Sequence, residues 1–163
     1  MAGALIALGG NVGDVRATFA RAIPDLCRAA RAKLVARSSD YLTPPWGDLQ
    51  QPAFVNAGIS IETELDPKAL LSVLQDVERK FGRDRSAERR WGPRPLDLDL
   101  IAYDDIAMQS PELTLPHPRL FERAFVLVPL AEITPDRVVA GRTVRVALTK
   151  LSAAGIERLP NMD

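Results

Sequence analysis

Two aspartates one residue apart, Asp97 and Asp99, are the first feature of this sequence able to do chemistry. They fall in Pro95-Leu96-Asp97-Leu98-Asp99-Leu100-Ile101-Ala102-Tyr103, a run that alternates as a strand does. Side chains at i and i+2 of a strand leave by the same face, with their backbones roughly 6.6 to 7 Å apart. Two carboxylates so placed can hold one Mg²⁺ or bridge two, because Mg²⁺ takes one or two carboxylates and completes its shell with water and substrate phosphate oxygens. The same pattern also describes the plain polar face of an antiparallel strand. Arg83, Arg85, Arg89, Arg90 and Arg94 stand just upstream. A cationic segment beside a dicarboxylate suits a polyanion held between them, with arginine forks on one side and metal on the other. The plain alternative is an exposed loop whose internal ion pairs contribute little.

Other residues could complete such a site. Trp91, between Arg90 and Gly92, is either an anchor for the charged loop or a platform on which a flat ring stacks. His117 is the single histidine and sits between Pro116 and Pro118. One histidine makes no zinc site, but it can donate to a phosphate or exchange a proton. Arg119 and Arg123 follow it and favour an anion. Asn56 alternates with Phe54 on one face of a predicted strand; its amide offers the donor and acceptor that a heterocycle's edge requires. Phe54 and Phe125 are ring-stacking candidates that would equally serve a core. Gly9-Gly10-Asn11-Val12-Gly13 follows a strand and precedes a helix, as phosphate loops do, yet it matches neither the Walker nor the dinucleotide glycine spacing.

The elements that must position these groups are legible from periodicity. Ala4–Leu8 reads as a strand, then a turn, then a helix over Val15–Ala32 capped by Asp14, with Phe19, Ile23, Leu26 and Ala30 inward and Pro24 expected to kink or split it. Leu34 to Leu42 reads as a second strand, stopped by Thr43-Pro44-Pro45-Trp46-Gly47. In Phe54–Glu62 the residues Val55, Ala57, Ile59 and Ile61 face the core, and Phe54, Asn56, Gly58 and Ser60 face a site or water. Asp66-Pro67 opens a helix with Leu70, Leu74, Val77 and Phe81 as its buried stripe, and Gln75 and Glu78 share one edge of it. After the strand through Tyr103 come an extended Pro-rich loop, a helical pattern over Leu120 to Ile133, a strand near Arg137–Ala140 and a short helix over Val144 to Leu151. Strand–helix–strand twice over predicts an α+β fold, a ferredoxin-like βαββαβ sheet with helices packed on one face and a small C-terminal extension.

Composition bounds the class. The chain has 163 residues, 47% of them apolar and 26% charged, enough for one domain with its own core and too apolar for disorder. Its 21 basic residues balance 21 acidic ones, which argues against a general nucleic-acid binder. Seventeen of the basic residues are arginine. Cys27 stands alone, so no internal disulfide forms, and no apolar run reaches the length of a membrane span. The expectation is a soluble, cytoplasmic, single-domain protein.

Arg89-Arg90-Trp91-Gly92-Pro93-Arg94-Pro95-Leu96-Asp97-Leu98-Asp99 resembles the signature of the 6-hydroxymethyl-7,8-dihydropterin pyrophosphokinases of folate biosynthesis. Leu8-Gly9-Gly10-Asn11-Val12-Gly13-Asp14, Thr43-Pro44-Pro45, Phe54-Val55-Asn56-Ala57, Leu115-Pro116-His117-Pro118-Arg119 and Arg123-Ala124-Phe125 resemble further motifs of that family, in its order. The resemblance implies transfer of pyrophosphate from ATP to the hydroxymethyl group of the dihydropterin, with release of AMP. It implies that Asp97 and Asp99 hold two Mg²⁺ ions and that Arg85 and Arg94 are catalytic. Gln75, Glu78, Arg83, Trp91, Arg94, His117 and Arg123 would bind ATP. Thr43, Pro44, Pro45, Phe54, Asn56, Trp91 and Phe125 would form the pterin slot. It also implies a ferredoxin-like fold, residues 1–163 as one domain, and a monomer acting on small molecules without nucleic acid or membrane. Phe54 stands where the family often has Tyr, which removes any hydroxyl contact there. Three rivals remain: an RNA-binding module, a nucleotide-sensing domain that does not react, and ordinary ATP hydrolysis or single-phosphoryl transfer, which would give ADP.

Overall fold

The computed structural model describes residues 1–45, 50–83 and 93–162. Trp46, Arg85, Arg89, Arg90 and Trp91 lie outside the described residues. The central elements run β1 (Ala2–Gly10), α1 (Val15–Ala29), β2 (Lys33–Arg37), β3 (Tyr41–Thr43), β4 (Phe54–Thr63), α2 (Pro67–Lys80) and β5 (Asp97–Tyr103). A short hairpin comes next, made of β6 (Met108–Gln109) and β7 (Thr114–Leu115). Then come a 3₁₀ turn (Leu120–Glu122), α3 (Ala124–Ile133), a second hairpin of β8 (Val138–Val139) and β9 (Arg142–Thr143), α4 (Val144–Thr149) and β10 (Glu157–Arg158).

The main sheet is antiparallel, ordered β10-β3-β4-β1-β5, with β2 also paired to β4. α1 and α2 cover one face. Phe19, Ile23 and Leu26 of α1 and Leu70, Leu74 and Val77 of α2 meet Ile6, Leu8, Ile59, Ile61, Leu98 and Leu100 of the strands. The caps are those expected: Asp14 Oδ1 accepts from the Ala17 N–H at 3.1 Å, and Asp66 Oδ1 from Ala69 at 2.8 Å. Pro24 does not split α1. Both Pro24 and Ala20, whose carbonyl the proline ring deprives of a partner, lie on the solvent side, where water can satisfy the freed oxygen.

Helices cover both faces of the sheet, not one. Val126, Leu127 and Leu130 of α3, with Val144 and Ala147 of α4, pack on Leu5, Ala7, Ile101 and Ala102. The outward residues of β4 therefore meet a helix, and Gly58 is buried where a Cβ would come within 2.9 Å of Leu130 Cδ2. β5 alternates Leu98 and Leu100 onto the first face and Ile101 onto the second, but then puts Ala102 on the second face as well and Tyr103 on the first, because the pairing with β1 shifts register between Leu5 and Ile6. An extra residue in one strand produces such a bulge and re-aims the side chains beyond it.

The expected strand over Leu34 to Leu42 is broken in two. Ser38 exchanges its own groups with Gly58: its N–H donates to the Gly58 carbonyl at 2.9 Å and its Oγ accepts from the Gly58 N–H at 2.8 Å. A side chain thus replaces a backbone rung, and the strand jogs before β3. The Leu120 to Ile133 pattern likewise divides into a 3₁₀ turn and α3, and Pro129 remains inside α3.

Candidate active site

Register builds the site. Gly9 of β1 stands opposite Asn56 of β4 on one side and Asp97 of β5 on the other. The next row on the same face is Gly58, Ala7 and Asp99. An amide and a carboxylate thus flank a residue with no side chain, each one strand away, about 4.8 Å in the hydrogen-bonding direction. Gly9 belongs to a strand, not to a phosphate loop as its sequence context suggested. Its missing Cβ has a use: a Cβ there would lie 2.8 Å from Asn56 Oδ1.

Above this row lies a pocket lined by Gly9, Thr43, Pro44, Phe54, Asn56, Arg94, Asp97, Arg123 and Phe125. Asn56 Nδ2 donates to Thr43 Oγ1 at 2.7 Å, and both side chains are buried. The Arg123 guanidinium stands 5.6 Å from the centre of the Phe125 ring. Eight residues singled out from the sequence meet in this one cavity; Pro45 instead lines a cleft on the outer side of the same loop. Gly9→Ala should weaken binding of the ring ligand about tenfold or more, because overpacking costs about 1–3 kcal/mol. Titration calorimetry with the hydroxymethylpterin that the sequence resemblance implies checks this; unchanged affinity would remove Asn56 from the pocket's working surface.

Beside the pocket, a buried chain of charges sets Asp97. Arg83 Nη1 donates to Asp97 Oδ1 at 2.5 Å and to Glu78 Oε2 at 2.6 Å. Glu78 Oε2 also accepts from the Leu98 N–H at 2.8 Å. The Glu78 and Arg83 side chains are almost wholly enclosed. Glu78 therefore ties α2 to β5 and holds Arg83, which in turn holds Asp97. Gln75, one turn earlier, is half-buried. Arg94 Nη1 reaches Asp97 Oδ2 at 3.5 Å, and Arg123 Nη1 reaches Asp99 Oδ2 at 3.8 Å.

Asp99 is uncomfortable. Enclosure by protein, and then the neighbouring Asp97 carboxylate, push its pKa up to about 7, and Arg123 only partly offsets them. A quarter of the side chain still reaches solvent. Two carboxylates crowd each other on one strand face, and each disfavours the other's charge. Hard oxygen donors of this kind fit Mg²⁺. Among the described residues no group of three or more His, Cys, Asp or Glu side chains is placed to enclose a metal. Mg²⁺ held by one or two carboxylates completes its shell with water and phosphate oxygens.

His117 joins the site through β5, its N–H donating to the Ile101 carbonyl at 2.8 Å. Its Nδ1 accepts from the Arg119 N–H at 3.1 Å, which leaves the proton on Nε2. Burial, aided by Arg123, lowers its pKa to about 4. It is a neutral donor at physiological pH.

Asn11, which lies in the opening motif but carries no assigned role of its own there, organises the surroundings. Asn11 is buried and exchanges hydrogen bonds with Arg94 at both ends: its N–H donates to the Arg94 carbonyl at 3.0 Å and its Oδ1 accepts from the Arg94 N–H at 2.9 Å. Its Nδ2 donates to Gln51 Oε1 at 2.9 Å and to the Pro52 carbonyl at 3.0 Å. Nothing in its sequence neighbourhood signals this, since the partners are 40 or more residues away.

The profile of the 7,8-dihydro-6-hydroxymethylpterin-pyrophosphokinase family matches residues 5–135. The chain belongs to this family. A 2-amino-4-hydroxy-6-hydroxymethyldihydropteridine pyrophosphokinase of Methylorubrum extorquens is 51% identical over 159 residues, 98% of this chain and 99% of that one. The protein of the same name from Pseudomonas aeruginosa is 40% identical over 156 residues, 95% of each chain. The fold is also that of part of the Plasmodium falciparum HPPK-DHPS crystallised with pteroate, with a TM-score of 0.70 at 15% identity, covering 91% of this chain and 42% of that one. Membership of the 6-hydroxymethylpterin pyrophosphokinase family makes the chain an ATP-dependent transferase of folate biosynthesis. Among the described residues no helix is long and apolar enough to cross a membrane.

Proposed function

We propose that this chain binds the dihydropterin in the Phe54–Phe125 pocket and the ATP triphosphate beside Asp97 and Asp99, and joins them by pyrophosphoryl transfer. The observation that carries this reading is the single row Asn56–Gly9–Asp97, which sets a ring-recognising amide next to a phosphate-side carboxylate. The substrate hydroxyl attacks the β-phosphorus in line. An O–Pβ bond forms, the bond from Pβ to the α,β-bridging oxygen breaks with its electrons moving onto AMP, and the hydroxyl proton passes to solvent water.

The chain's own residues have separable tasks in this scheme. Phe54 and Phe125 sandwich the ring, and the Asn56 amide meets its polar edge. Thr43 holds that amide in place, and Pro44 walls the slot. Arg94 and Arg123 reach from the pocket toward the phosphates, and neutral His117 donates from Nε2. Arg83 and Glu78 act through Asp97. Asp97 and Asp99 are the residues that would hold two Mg²⁺ ions, which when bound neutralise phosphate oxygens and sharpen the electrophile. Gln75 and, outside the described residues, Arg85 and Trp91 keep the roles that the resemblance implies, whereas Pro45 supports the loop from the neighbouring cleft.

The strand order β5-β1-β4-β3 supports a ferredoxin-like core to which α3, α4 and β10 are added. We take residues 1–163 as one domain, working as a cytoplasmic monomer on small molecules; the two cores sharing one sheet support the single domain.

The test is incubation with ATP, Mg²⁺ and reduced hydroxymethylpterin, with the nucleotide products then separated and identified. AMP and a pterin diphosphate are expected in equal amounts. ADP as product would replace the reading with single-phosphoryl transfer, and salt-sensitive RNA binding without ATP consumption would replace it with the nucleic-acid module.

A further inference from the structure

Residues beyond 135 lie outside the family profile, yet they return to a cleft that shares Thr43 and Pro44 with the candidate pocket. α4 packs with α3 on the second face of the sheet, and the chain then passes along the outer side of the Thr43-Pro44-Pro45 loop. Leu151, Ala154 and Ile156 share a cleft there with Thr43, Pro44 and Pro45. A turn at Gly155, closed by the Ile156 N–H donating to the Ala153 carbonyl at 3.1 Å, leads into β10. β10 adds an edge strand to β3, with Glu157 opposite Leu42 and Arg158 opposite Tyr41.

The attachment is locked at several points. The Leu159 N–H donates to the Asp40 carbonyl at 2.9 Å. Arg158 Nε donates to Ser39 Oγ at 3.0 Å, and its guanidinium lies 3.8 Å from Glu132 Oε2. That Glu132 carboxylate also receives the Tyr41 hydroxyl at 2.6 Å and the Ser39 N–H at 3.0 Å. Arg16 donates to the Pro160 carbonyl from the other side.

These locks bear on β3. It has three residues, and without β10 it would be a three-rung edge strand, too short to hold its own position firmly. Its last residue, Thr43, fixes Asn56, and the next, Pro44, lines the pocket. Pro44 is touched from behind at Gly155, where a Cβ would lie 3.0 Å from Pro44 Cγ and where φ is +83°. We propose that residues 151–160 form a strap that positions the Thr43-Pro44 wall and so sets affinity for the pterin, without acting on the nucleotide. The strap rests on the pterin-slot reading above, and the test separates the two.

Two variants of the full chain make the test. Gly155→Val places a branched side chain at a left-handed position and drives it into Pro44. Arg158→Leu cuts the side-chain clamps but spares the turn, and Arg158→Lys restores the charge. The readouts are the Kd for hydroxymethylpterin with a saturating α,β-methylene ATP analogue and Mg²⁺, the Kd for that analogue alone, and Tm. The expected result for Gly155→Val is a pterin Kd raised about tenfold or more, with nucleotide Kd within about twofold of the parent. Arg158→Leu should show a smaller loss of the same kind, partly recovered in Arg158→Lys. Unchanged pterin affinity in both variants, or parallel loss of pterin and nucleotide affinity tracking Tm, would overturn the strap. Failure of the parent chain itself to bind the pterin would overturn the slot, and the strap with it.

Discussion

Asp99→Asn is expected to stop turnover and, without Mg²⁺, to make the protein more stable. The activity loss comes from removing one of two carboxylates assigned to the phosphate-side ions; about 4 kcal/mol of transition-state stabilisation corresponds to roughly a 10³-fold fall in rate. The stability gain comes from protonation. The Asp99 carboxyl is raised from 3.8 to about 7. The unfolded chain therefore releases that proton near pH 4, whereas the fold keeps it until about pH 7. Between those limits the native state binds more protons, so stability falls as pH rises. Above that window the ionised carboxylate is a standing cost that asparagine does not carry. In EDTA at about pH 8 the variant should melt a few degrees above the parent, and at about pH 4 the two should coincide. Mg²⁺ should raise the Tm of the parent near pH 8 far more than that of the variant. Near-parental turnover, or a lower Tm at the higher pH, would remove Asp99 from its assigned place.

The largest stability loss is expected from Glu78→Leu. The substitution keeps a side chain of similar length in α2 but strips Arg83 of the Glu78 carboxylate. It also leaves the Leu98 N–H without the acceptor it has at 2.8 Å. Breaking one side of a buried ion pair costs about 3–5 kcal/mol. For a chain of this size that is a drop of roughly 10 °C in Tm. Glu78→Gln should fall between, since its amide oxygen still accepts from Leu98 while the charge is lost. Turnover should fall in both, because Arg83 no longer holds Asp97 in register. Thermal melts of the three proteins at equal concentration decide it, and a Glu78→Leu protein melting within a degree or two of the parent would refute the buried chain of charges.

How far the molecule is legible in its sequence depends on the range of the forces involved. Local rules are enough for the caps at Asp14 and Asp66, the buried stripe of α2, and the shared face of Asp97 and Asp99. The pocket residues Thr43, Pro44, Phe54, Asn56 and Phe125 are legible through family motifs, and Asn56 also through the two-residue period of β4. What escapes is tertiary. Pro24 survives inside α1 because its side of the helix is wet. The outward residues of β4 look half-polar because Gly58 and Ser60 are small. Gly58 is bare where Leu130 of α3 approaches, which no single strand reveals. Glu78 looks like a surface partner of Gln75, yet one turn of α2 is enough to move a carboxylate from the edge into the sheet. Gly9 looks like part of a loop, and only the register across three strands shows what its bareness is for.

Asn11 leaves the molecule with little mechanical slack. One amide grips the Arg94 backbone and Gln51-Pro52 together. A shift of either stretch by an ångström must drag the other along or tear the bonds between them. The stretches at Arg94 and at Gln51-Pro52 are thus mechanically tied through one side chain, without any change in the sheet beneath.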